Sequence, residues 1–198
     1  MDYSTKDKNQ LRKRWQAEAL DSALNEKPFG LIDNRTDLRG FVIKENITNK
    51  VYENVDFSAL KVDGFGQFNH CKFINCSFNS ADFINNLNSF FENCDFSFIK
   101  FKDLNLGDKF ISCSFKNSKW NKVGLSSTNF DSCNFEDTEL QKVDLYTCQF
   151  NKSKLSKTTF KKCELEYTKF NESEFSIEQL NDCFYESVKV DGKSYHSD

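Results

Sequence analysis

Phe130-Asp131-Ser132-Cys133-Asn134-Phe135-Glu136-Asp137-Thr138-Glu139-Leu140-Gln141-Lys142-Val143-Asp144-Leu145 carries a large apolar residue at every fifth position and a small residue two places ahead of each. The spacing extends in both directions, from Phe110 to Tyr185, through sixteen consecutive centres. Phe, Leu, Tyr and Trp make up 45 of 198 residues. At that frequency, sixteen chance hits come to roughly one in 10¹⁰, so the period is a property of the fold. Five matches neither the 3.6 of a helix nor the 2 of a simple strand. It matches a square solenoid in which each unit makes one side and a corner, and four units close a coil.

The small slot reads Cys113, Ser118, Val123, Thr128, Cys133, Thr138, Val143, Cys148, Ser153, Thr158, Cys163, Thr168, Ser173 and Cys183, with Asp108 and Glu178 as exceptions. Residues two apart on extended backbone share a face, so slot and centre both point inward. Units such as Cys94-Asp95-Phe96, Val55-Asp56-Phe57, Ala81-Asp82-Phe83, Cys133-Asn134-Phe135 and Val143-Asp144-Leu145 resemble the pentapeptide-repeat family, whose motif is A(D/N)LXX with Phe often in place of Leu. The resemblance covers about residues 38–187 and implies an all-β fold, a right-handed quadrilateral β-helix of about seven coils. It implies no particular activity.

Upstream of Phe110 the register breaks. One block runs Val42, Ile47, Tyr52, Phe57, Val62; a slip gives Phe68, Phe73, Phe78, Phe83; another block runs Phe91, Phe96, Phe101, Leu106. The eight-residue step across 84–90 is expected to loop off the coil, and Gly107 to supply an unusual backbone angle at a short step. Residues 5–26 are expected to be helical, with Leu11, Trp15, Ala19, Leu20, Ala23 and Leu24 as an apolar stripe and Pro28 beyond. The division expected is therefore 1–37 as a helical cap and lead-in, 38–187 as solenoid, and 188–198 as a tail.

The formal charge of −3 and the mean hydropathy of −0.66 fit a soluble, cytoplasmic chain. No apolar run reaches the length of a membrane span, and Met1–Lys6 leads into charge rather than a signal sequence. All eight cysteines (Cys71, Cys76, Cys94, Cys113, Cys133, Cys148, Cys163 and Cys183) occupy the small slot, so they are expected as inward packing groups rather than metal ligands or disulfides. His70 and His196 are the only imidazoles, and no phosphate loop, GxSxG, HExxH or CxxC is present. No catalytic role, metal or cofactor is expected.

Residues twenty apart stack on one side, so each side can be read for charge. The side centred on Leu125, Leu145, Leu165 and Tyr185 presents Asp144, Glu164, Glu166 and Glu186, with Tyr146 and Tyr167 and no Lys or Arg. The adjoining side presents Lys119, Lys122, Lys142, Lys161 and Lys162 against Glu139 and Asp182. Asp108 is expected to extend the acidic stripe, and Lys100 and Lys102 the basic one. These stripes point to a non-enzymatic interaction module that presents a flat charged face to a protein partner.

The best-known branch that the resemblance implies consists of proteins similar to B-form DNA in girth and charge. They bind DNA gyrase or topoisomerase IV and protect it from quinolones or peptide toxins. A DNA-mimicking protector of a type II topoisomerase is thus the alternative reading. This chain departs from that branch in lacking a C-terminal dimerisation helix, in a charge of only −3 over residues 42–185, and in its basic N-terminal helix. A further alternative is direct nucleic-acid binding through Arg12–Arg14 and the lysine side. No membrane partner is expected, and the C-terminal coil is the place left for a homodimer.

Overall fold

The computed structural model describes residues 2–15 and 19–197, and for Asp108 the backbone only. The chain winds as a right-handed four-sided β-helix of about eight coils. Side one is centred on Leu38, Phe57, Phe78, Phe96, Phe115, Phe135, Leu155 and Phe175, and side two on Ile43, Val62, Phe83, Phe101, Trp120, Leu140, Phe160 and Leu180. Side three follows Ile47, Phe68, Leu87, Leu106, Leu125, Leu145, Leu165 and Tyr185; side four follows Tyr52, Phe73, Phe91, Phe110, Phe130, Phe150, Phe170 and Val190. Each coil hydrogen-bonds to the next in parallel register, as in Phe110–Phe130–Phe150–Phe170.

A corner forms because the residue two past a centre turns left-handed, as at Ser132, Asp137, Lys142 and Thr147 with φ of 52 to 57°. On sides one and three the corner closes with a turn bond from the residue three past the centre, such as Thr138 N to Phe135 O at 3.0 Å. Rings stack along the axis on the two aromatic sides. Phe73–Phe91–Phe110–Phe130–Phe150–Phe170 repeats at 4.9–5.2 Å between near-parallel rings. Fully burying side chains of this size contributes about 1.5–3 kcal/mol each, which makes the ladders the main source of stability.

The small slot does more than fill space. Its hydroxyls and thiols donate to the carbonyl of a centre one coil back: Thr138 Oγ1 to Phe115 O at 2.7 Å, Thr158 Oγ1 to Phe135 O at 2.8 Å, Cys148 Sγ to Leu125 O at 2.7 Å. The slot therefore selects small donors, which explains why Ser, Thr and Cys interchange there.

Several expectations need correction. The coils number eight, because the first is centred on Leu38 and Ile43; Val42 is an outward neighbour of Ile43. The 84–90 step is not an excursion. Leu87 is a buried centre, and Leu87–Glu92 is a continuous strand paired on both edges. Eight residues are two sides of four, turned without a left-handed corner. Gly107 has no left-handed angle; it is small because Asn88 Oδ1 lies 2.8 Å from where a Cβ would be. The one lengthened step, Val62 to Phe68, holds Asp63-Gly64-Phe65-Gly66.

Within 188–198, expected as a tail, residues 188–190 and 193–195 are paired strand. Val188–Val190 is the last length of side four, and Lys193–Tyr195 folds back on it antiparallel. Ser197 N bonds Tyr185 O and Ser187 N bonds His196 Nδ1, so residues 193–197 fold back over the last lengths of sides three and four. At the other end two helices form, α1 (Thr5–Arg12) and α2 (Leu20–Glu26), where one was expected across 5–26; residues 16–18 lie outside the described residues. α2 caps the first coil with Leu20 and Ala23, and Trp15 stands edge-on to Phe29 and Phe41 at 4.9 Å.

α1 does not cap the end but lies back along the corner between sides one and two. Ser4 and Asp7 form its capping box. Lys8 Nζ meets Asp82 at 2.7 Å, Arg12 bonds Ala59 O and Asp82, and Arg14 pairs with Asp37 at 2.9 Å. Gly40, at φ +74°, lets Leu11 approach so closely that a Cβ would sit 2.6 Å from its backbone.

Candidate interaction surface

Side three changes character along its length. Through the first five coils its outward residues are Asn46, Thr48, Gln67, Asn69, Asn86, Asn88, Asn105, Gly107, Gly124 and Ser126, without a formal charge. The last three coils present the acidic and aromatic residues. Asp144 pairs with Glu164 across neighbouring coils, and Glu166 with Glu186. Like charges at the strand spacing of about 4.8 Å repel by about 1 kcal/mol or less in water, a cost the repeat itself does not require.

Tyr146 and Tyr167 stand together on this patch, 42% and 46% exposed, with rings edge to face at 5.9 Å. Tyr167 occupies a left-handed corner at φ 56°, where a short polar residue is the easier choice. All six expected residues of the acidic stripe are thus on one side, with the tyrosines at its middle. Asp108 aligns with Ser89 in the strand register, and its side chain lies outside the described residues.

The five lysines of the basic stripe lie on side two, and Lys100 aligns with Lys119. They are partly neutralised there. Lys119 pairs with Glu139 at 2.7 Å and Lys122 approaches Asp103 at 3.8 Å. Lys142, Lys161 and Lys162 have no ion pair among the described residues.

The basic N-terminal helix is committed to its own chain. Burial alone would raise the Asp37 carboxyl, but hydrogen bonds from Arg39 and Arg14 outweigh it and hold the group well below the carboxylate range. Lys8, Arg12 and Arg14 are each about four-fifths covered, which removes Arg12 and Arg14 as the free phosphate contacts that direct nucleic-acid binding would use.

Seven cysteines are buried and Cys183 is half-buried at the last coil; all eight are free thiols. Burial pushes the Cys148 thiol up to about 12, so it carries no thiolate at neutral pH. Among the described residues no group of His, Cys, Asp and Glu is placed to hold a metal ion, and no helix is long and apolar enough to cross a membrane.

Residues 113–193 match the family model described as a pentapeptide repeat region, over the coils where the five-residue step is unbroken. Those residues are similar to a pentapeptide repeat region. Among solved structures, the chain is similar to a trypsin-treated form of QnrB1, a plasmid-mediated fluoroquinolone resistance protein. The identity is 19%, with 78% of this chain and 91% of that one covered at a TM-score of 0.41. Full-length QnrB1 aligns at 14% identity over 74% of this chain and 94% of that one, TM-score 0.30. The pentapeptide repeat protein Rfr23 from the cyanobacterium Cyanothece 51142 aligns at 12% identity over 80% and 100%, TM-score 0.28. No curated protein matches.

Two features of the chain escaped the reading of its sequence. One is the ion-pair lattice under α1, whose partners Asp37 and Asp82 are scattered through the repeat. The other is Phe65, 91% exposed at the tip of the one lengthened corner. Gly64 and Gly66 flank it and were the available signal.

Proposed function

We propose that this protein is a non-enzymatic interaction module whose working surface is the C-terminal part of side three. The observation that carries the reading is the exposed Tyr146–Tyr167 pair framed by Asp144, Glu164, Glu166 and Glu186. Paired aromatic groups in a ring of one charge supply contact area and orientation together. The partner's complementary surface is basic. The inward, carbonyl-bonded thiols support the non-enzymatic reading, because they serve the coil.

The test is affinity purification with the wild type, Glu164→Lys/Glu166→Lys and Lys161→Glu/Lys162→Glu. A partner retained by the wild type and by the lysine variant, but lost at least tenfold by the glutamate variant, is the expected result. Retention by the glutamate variant refutes the choice of face.

A type II topoisomerase is a second reading of the same face, favoured by the two rows of carboxylates at strand spacing, which line up as a short run of negative charge. In a supercoiling assay, inhibition or quinolone protection that Glu164→Lys/Glu166→Lys abolishes supports it. Absence of any effect at micromolar protein removes it and leaves the module with another basic partner.

A further inference from the structure

Seven of the eight thiols are used by the coil. Each donates to a backbone carbonyl, as Cys113 Sγ does to Ile111 O at 3.3 Å and Cys163 Sγ to Leu140 O at 3.5 Å. Cys183 makes no such bond among the described residues, and it is the one cysteine that is half-buried rather than buried. Reactivity at sulfur follows access and thiolate character, and both single out Cys183 from the other seven.

Cys183 stacks on Cys163. Phe184 N donates to Cys163 O at 3.0 Å, and the residues that follow run in parallel register, Glu164 with Phe184 and Leu165 with Tyr185. Both thiols occupy the inward slot of side three. Their Cα atoms therefore stand one strand spacing apart, about 4.8 Å, within the roughly 4.4–6.8 Å that a disulfide spans. Hydrogen bonding from the Cys163 thiol lowers the pKa of Cys183, and the same contact together with burial raises that of Cys163. Cys183 is thus the member that ionises first. Cys76, Cys94, Cys113 and Cys133 form a longer stack on side one, but all four are at most 2% exposed and bonded to carbonyls. Stacking is common to both columns; access distinguishes the Cys163–Cys183 pair.

We infer that Cys183 and Cys163 are a modification site for hydrogen peroxide, Cys183 as the sulfur oxidised first and Cys163 as the thiol that resolves it into a disulfide. The Cys183 thiolate attacks one oxygen of the peroxide; an S–O bond forms, the O–O bond breaks and hydroxide leaves. The Cys163 sulfur then displaces hydroxide from the Cys183 sulfenic acid. The S–S bond forms as the S–O bond breaks, and the Cys163 proton leaves with the hydroxide as water. Two thiols and one peroxide give one disulfide and two waters, the two sulfurs losing the two electrons that the peroxide gains. The bond joins the coil that carries Glu164 and Glu166 to the one that carries Phe184 and Glu186.

Peptide mapping tests the inference. Full-length protein, reduced and then freed of reductant, is exposed to hydrogen peroxide at about 1 mM, blocked with N-ethylmaleimide in denaturant and digested with trypsin. The expected product is a single disulfide, a loss of about 2 Da, joining the peptides Cys163–Lys169 and Phe170–Lys189, with the four side-one thiols recovered unoxidised. In Cys163→Ser, which keeps a small donor in the slot, dimedone is expected to trap Cys183 as the sulfenic acid. In Cys183→Ser, Cys163 is expected to react with peroxide at least tenfold more slowly than Cys183 does in the wild type. Wild-type protein whose Cys163 and Cys183 both remain free thiols, a first bond within the side-one stack, or a Cys163→Ser protein without a dimedone adduct at Cys183 overturns the inference.

Discussion

Asp56 shows what a single outward position costs when it is covered. It lies on side one between Asp37 and Ser77, 9% exposed, and its carboxylate accepts the Ser58 N–H at 2.9 Å. Burial is the main influence and raises its pKa; the Ser58 bonds and Arg39 pull the other way without prevailing. A carboxyl whose folded-state pKa is raised costs nothing below the unfolded value of about 3.9, where both states are protonated. Stability is then lost as pH rises from there through the folded value. Asp56→Asn keeps an acceptor for Ser58 and removes the buried charge. The variant should therefore melt above the wild type at pH 7, with the difference vanishing below about pH 4 in paired thermal scans. Asp37, directly beside Asp56 in the sheet, has the opposite sign because the guanidinium groups of Arg39 and Arg14 enclose it.

At the scale of elements, α1 is the least rooted part of the structure. It buries no residue and is held by ion pairs and backbone-directed guanidinium bonds. Eight residues cannot sustain a helix in water without such contacts. Pairs near the surface contribute up to about 1 kcal/mol each, and Asp82 is itself partly open to water, so Asp82→Ala, which removes two, should cost about 1 kcal/mol or somewhat more. Amide exchange of residues 5–12 should then approach free-peptide rates while the solenoid strands remain protected; equal loss of protection in the strands would show that the arm is integral to the coil. Legibility follows the same division. From Phe110 onward each side is five residues, and centres, slots and sides could be read directly. Before it the steps vary from four to six, because a strand such as Leu87–Glu92 rounds its corner without a left-handed residue. Period two inside a continuous strand then conceals Leu87 between Phe83 and Phe91. The path of α1 was not legible, since its anchors Asp82 and Asp37 look like any outward acid of the repeat.

The whole molecule is a square rod whose sides differ in chemistry although its coils repeat. The corner between sides one and two is sheltered by α1 at its start, side two ends on Lys161 and Lys162, and side three passes from amides and glycines to carboxylates and tyrosines. The stripe residues could be placed from sequence because stacking at twenty-residue intervals is arithmetic once the coil is known. The neutralisation of Lys119 and Lys122 could not, because it depends on side-chain reach between coils. The central claim is that the last three coils of side three are where another protein sits. Photo-crosslinking in cells tests it most directly, with a photoreactive residue replacing Tyr146, Tyr167 or, as a control on an exposed corner of side four, Asn93. The account predicts one common adduct from positions 146 and 167, lost when Glu164→Lys/Glu166→Lys is added, and none from position 93. Adducts from position 93 with none from either tyrosine position would contradict it.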